Sequence, residues 1–253
     1  MTPLLFRLHE AIGEPFPTGT LPRSYAVADL RDLAGWKPQL EAAERLAVTG
    51  ALSANRLLGL YTARDPAASG GVWNRVIAIQ KFETALRSRS TTAIEQSLPT
   101  AWSEMQQVGL EMLFADLFAA PLRRYDLSGA SADIATTMAL LSADYAEAAR
   151  SRDVPPLLAA LSGVTDTAPQ VQDTRATALL AGFEPYNART DLTEMARNGR
   201  MGEAILRTLV LLDNGAAGNP VALTQAIATL RAFGLEDTAR RAALQIMLLD
   251  RYS

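Results

Sequence analysis

Two stretches of seventeen residues, ERLAVTGALSANRLLGL at 44–60 and TEMARNGRMGEAILRTL at 193–209, align without a gap. The alignment sets Gly50 on Gly199 and pairs Leu46 with Met195, Ala47 with Ala196, Leu52 with Met201, Leu57 with Leu206 and Leu60 with Leu209. A glycine that ends a helix takes the left-handed position just past the last turn, where a β-carbon would clash. The large apolar residue four positions earlier is then placed to face the next helix, and the residue five positions later governs how closely the two axes approach. Gly109 and Gly234 carry the same arrangement, with Met105 and Leu230 before them. Asn55, Phe114, Ala204 and Ala239 fill the later position in the four cases. The pattern describes helices that end at glycine and fold back on their neighbours, so the expected body is all-α and sheetless.

The rest of the chain agrees. Alanine is abundant and aromatic residues are only 6% of the 253, a composition that favours close-packed helices. Runs of alternating β-branched and aromatic residues are missing, and Val72, Val76, Ile79, Phe82 and Leu86 recur instead at helical spacing. A short helix at 4–12, with Thr2 as its cap, is followed by EPFPTGTLPRS, where Pro15, Pro17, Gly19 and Pro22 exclude regular structure. Residues 1–35 therefore read as a helix and an extended wrap, and 36–253 as an array of helical hairpins with a sub-boundary near 162–173. Helices are expected to alternate with short breaks from Trp36 onward: a first one with Pro38 near its start and Leu40, Ala43, Leu46 and Ala47 on one face, then others at about 53–63, 72–87, 91–108, 110–118, 132–141, 143–150, 154–161, 172–181, 192–197, 202–212, 220–233 and 236–250. The 35 residues between Gly199 and Gly234 resemble the length of a tetratricopeptide repeat, and the irregular spacing elsewhere implies a degenerate α-α superhelix.

Composition narrows the chemistry. With one histidine, His9, and no cysteine, thiol catalysis and the usual zinc sites have no ligands to draw on. No DxDxDG, GxxxxGK[ST] or GxGxxG string occurs, so neither a calcium loop nor a phosphate cradle is expected, and no cofactor or metal is assigned. The net charge of −3, without a basic stripe, argues against nucleic acid as a partner. No apolar run reaches the length of a membrane span. The opening residues lack the pattern of a signal peptide; because the chain opens already in a helix, it fits a start downstream of an excised segment. Acid pairs such as Glu104/Glu111 and Glu83/Glu95 fall on separate expected helices and assign no catalytic residue.

Two resemblances follow from particular strings. Soluble lytic transglycosylases carry a helical superhelix beside a catalytic domain with a Tyr-Asn-Ala-Gly motif, and PYNAR here supplies Tyr186, Asn187 and Ala188. The Glu-Ser dipeptide of their catalytic acid is missing, so only the architectural likeness is carried over. The string RLLGLYTARDPAASGGVWNRV at 56–76 is similar to a segment of helical proteins from alphaproteobacteria, some labelled "antifreeze glycopeptide polyprotein", although this chain has no Ala-Ala-Thr array. That resemblance implies a bacterial protein exported to the periplasm, with the cytoplasm as the alternative, and assigns no activity. Physically, Gly70 and Gly71 permit a tight bend before a helix start. Tyr61, Arg64, Trp73 and Arg75 flank it as a candidate aromatic and guanidinium patch for peptide or glycan. The functional expectation is a non-enzymatic binding or scaffold module for a protein, peptide or envelope polymer. The alternative is a carboxylate-dependent glycan hydrolase or lyase, which needs two acids facing across a cleft.

Overall fold

The computed structural model describes residues 1–31, 34–165, 167, 169–184 and 186–249. Among them there is no strand, and the chain is all-α as its sequence implies. Asp32 and Leu33 of the wrap, Asp166 and Ala168 of the 162–173 stretch, Pro185 of PYNAR and Asp250 at the last helix lie outside the described residues. Contacts divide the chain into two compact units, Met1–Met138 and Ala139–Ser253. The described part of 162–173 is a connection inside the second.

In the first unit, α1 (Pro3–Ala11) is followed by 3-10 segments at Thr18–Thr20 and Arg23–Leu30, then α2 (Trp36–Ala47), α3 (Ala54–Tyr61), α4 (Val72–Ser88), α5 (Thr91–Gln106) and α6 (Glu111–Leu122). The proline-rich stretch is not the extended wrap its sequence suggests: Pro17 and Pro22 each stand just before a 3-10 segment, and Arg45 of α2 ties the first down by donating to the carbonyls of Thr18 and Leu21 at 2.7 and 2.6 Å. The apolar faces read from the sequence point inward: Leu40, Ala43, Leu46 and Ala47 on α2, and Val72, Val76, Ile79 and Phe82 on α4, are all buried. Phe82, Phe114 and Phe118 pack with ring centroids 4.9–5.4 Å apart, a spacing at which aromatic pairs add roughly 0.5–1.5 kcal/mol beyond area burial. Pro99 lies inside α5 and cannot donate to the Glu95 carbonyl. Ser131 of α7 (Gly129–Leu141) supplies that bond through its hydroxyl at 3.0 Å.

The second unit holds α8 (Tyr145–Ala148), α9 (Pro156–Leu161), α10 (Thr174–Gly182), α11 (Thr190–Arg197), α12 (Met201–Ala216), α13 (Pro220–Ala232) and α14 (Glu236–Leu248). Thr224 donates to the Ala178 carbonyl and Arg231 to that of Phe183, so α10 and α13 run in the same direction. Two glycines allow close approach. A β-carbon at Gly182 would lie 2.6 Å from Ile227, and one at Gly215 would lie 2.6 Å from the Leu223 backbone. That contact with α13 is why α12 continues through Gly215, beyond the end its periodicity suggests.

At all four glycines picked out by the alignment the chain leaves its helix with φ of 69–80°. In each, the amide after the glycine donates to the large apolar residue's carbonyl: Ala51 to Leu46, Leu110 to Met105, Arg200 to Met195, Leu235 to Leu230, at 3.0–3.1 Å. Together with the glycine's own bond to the carbonyl three residues back, this is the Schellman closure. The same pair of bonds forms at Gly13, Gly163 and Gly218. Sequence comparison missed these because His9, Ala159 and Asn214, not large apolar residues, occupy the accepting position.

The equivalence of the aligned stretches holds at the corners and fails beyond them. α3 buries Leu57 and Tyr61, whereas α12 buries Ala204 and Thr208 and leaves Leu206, Leu209 and Val210 65%, 43% and 72% exposed. The two helices turn different faces inward, because a closing motif fixes how a helix ends but not which neighbour its outgoing partner meets.

Candidate functional site

The string at 56–76 folds into the junction of α2, α3 and α4. Glu44 of α2 is 6% exposed, and Arg75 of α4 forks onto it with Nε and Nη2 each 2.7 Å from a carboxylate oxygen. Tyr61, at the end of α3, donates its hydroxyl to the same carboxylate at 2.7 Å. Burial, and after it the negative charge of Glu44, pushes the Tyr61 phenol well above its usual value. Burial opposes the charge on Arg75, but the hydrogen bonds and charge of Glu44 outweigh it and raise the guanidinium's value. A bidentate, fully bonded pair of this kind joins three helices at one point.

The proposed patch is therefore redistributed. Tyr61 and Arg75 are 1% and 8% exposed and serve the interior, not a ligand. Their burial follows from the acid at Glu44, which lies among the inward-facing residues of α2. Trp73 is half-buried and packs on Trp36, with ring centroids 5.1 Å apart; Trp36 donates its indole N–H to the Leu60 carbonyl at 3.0 Å. The amide of Gly70 at the bend is taken by the Asn74 side chain at 2.9 Å. Of the four residues, only Arg64 is exposed, and it opens on a different feature.

That feature is a groove along the outer face of α4. Ile77, Ala85, Ala93 and Pro66 give it apolar surface, Lys81 and Gln96 line it as well, and its volume is about 510 Å³. A polar extension of about 370 Å³ shares Gln80 and Thr84 with it and is lined by Arg64, Asp65, Glu83 and Arg87. Gln80 fixes the wall by donating to the carbonyls of Tyr61 and Arg64, both at 2.8 Å. Thr84 and Ser88 turn their hydroxyls back on their own helix, to Gln80 and Ala85. Glu83 is held by Arg87 at 2.6 Å, whereas neither Lys81 nor Arg64 has an ion-pair partner among the described residues. Both are exposed, so the groove offers apolar surface beside two unpaired cations.

The sequence reading missed Ile77, Gln80 and Lys81. One signal was available: Lys81 is one of only two lysines, and it stands on the solvent side of α4. No family model, curated protein or solved structure matches the chain.

Proposed function

We propose that the chain is a non-enzymatic binding module that takes an extended segment of a protein or peptide in the groove along α4. The observation that carries this reading is the groove itself, with apolar surface and a wall pinned by Gln80. Lys81 and Arg64 favour a segment that sets a carboxylate near an apolar side chain. The larger part of the groove has no acid among its lining residues. In the polar extension the acids are Asp65 and Glu83, and Glu83 is committed to Arg87. This supports binding over the two-carboxylate chemistry of a glycan hydrolase. The likeness of the 56–76 string to exported alphaproteobacterial proteins supports a periplasmic setting in a bacterial cell.

Selection of a displayed random peptide library on the immobilised chain tests the reading. Enriched peptides should lose at least about tenfold in affinity on Ile77→Glu or Lys81→Glu, about 1.4 kcal/mol; Ile77 is 43% exposed and its replacement leaves the core untouched. A library that never enriches, or peptides indifferent to both substitutions, would count against the groove.

A further inference from the structure

The uncovered face of α12 is an apolar feature of the second unit that the α4 groove leaves unused. Leu206, Leu209 and Val210 are 65%, 43% and 72% exposed, and Met201 at the start of the helix is 41% exposed. Beside them lies a furrow of about 190 Å³ between α12 and α14, lined in part by Leu209, Leu212, Ala216, Ala242 and Ile246. These apolar side chains stand on a helix face that nothing among the described residues of the second unit covers. A contiguous exposed apolar ridge of this kind marks an interaction surface.

We propose that this ridge is covered by the α12 of a second copy of the chain, lying antiparallel across a two-fold axis between residues 207 and 208. Gly202, Leu206, Leu209 and Asp213 follow one another at spacings of four, three and four, which keeps them in line along one helix face. Around that axis, Leu206 of each copy meets Leu209 of the other, and Gly202 meets Asp213. The arrangement also brings opposite charges together. Asp213 is exposed and has no ion pair among the described residues; it arrives at the opposite helix's N-terminus, where Arg200 and the positive end of the dipole stand. Arg200 is 59% exposed and bonds only its neighbour Glu203 among the described acids. Gly202 has nothing within 4 Å of a built β-carbon, so the helices can approach closely at that end. An isologous contact of this type is the commonest way a soluble chain pairs.

The test uses the full chain, in which the lack of cysteine makes engineered thiols unambiguous. Sedimentation velocity should show a monomer becoming a dimer at about 10–100 µM, the range expected of a single helix pair smaller than a standard interface. Leu206→Glu should raise the dissociation constant at least about tenfold, with circular dichroism unchanged because the side chain is exposed. Oxidising a mixture of Leu206→Cys and Leu209→Cys chains should give a disulfide heterodimer far faster than either variant alone gives a homodimer. A chain that stays monomeric at about 500 µM, a dimer indifferent to Leu206→Glu, or cross-linking without preference for the mixed pair would each overturn the proposal.

Discussion

Glu44 sits among the apolar positions of α2 at 6% exposure and accepts three hydrogen bonds, two from Arg75 and one from Tyr61. Removing the phenol hydroxyl takes away one bond to a charged acceptor, so Tyr61→Phe should cost about 1.5–3 kcal/mol at neutral pH. The pH dependence follows from the raised phenol. Because the folded value lies above the unfolded one, the contribution is complete below about pH 10. It is lost as pH rises from there through the folded value, since only the unfolded chain gains by ionising. Denaturation curves of the wild type and Tyr61→Phe should therefore converge as pH rises above about 10; a constant gap would show that the hydroxyl is not the group held in this cluster. Tyr61 and Arg75 were legible in the sequence as residues worth attention, but for the wrong surface. An aromatic and a guanidinium flanking a bend look the same whether an acid waits inside or a ligand outside. The deciding residue, Glu44, is seventeen positions from Tyr61, and no spacing rule links the two.

Helix limits and corners were far more legible than packing. Glycine at the end of a helix acts locally, through its own φ and two backbone bonds, so Gly50, Gly109, Gly199 and Gly234 could be read from residues within one turn. Which face each helix buries depends on distant neighbours, and there the aligned stretches diverged: Leu57 went inward and Leu206 outward. Pro99 shows the same limit from another side, since a proline in mid-helix is tolerated here through a hydroxyl 32 residues further on. The Ser131 hydroxyl replaces the amide that Pro99 lacks. Ser131→Ala should accordingly cost about 1–3 kcal/mol by leaving the Glu95 carbonyl without its partner. In a Pro99→Ala background, where an amide again reaches that carbonyl, the cost should shrink to a few tenths of a kcal/mol. A double-mutant cycle by urea denaturation measures both, and equal costs in the two backgrounds would refute the substitution of hydroxyl for amide.

On the scale of the whole chain, each compact unit carries a surface that its own packing does not use and that we assign to binding. In the first it is the groove along α4, whose wall is tied down by Gln80 behind the Glu44 cluster; in the second it is the ridge of α12. The chain's net charge is −3, so the unpaired Lys81 and Arg64 are a local departure from its overall sign and bias the groove towards acidic segments. Composition could indicate a helical body poor in catalytic residue types. It could not indicate a groove, because Pro66, Ala93 and Gln96 come beside Ile77 and Lys81 only when α4 packs between the end of α3 and α5. The most direct test of a binding role for that groove is hydrogen–deuterium exchange of the full chain with and without a library-selected peptide. Slowed exchange confined to α4 and residues 62–66 is the predicted result; protection elsewhere, with α4 unchanged, would contradict it.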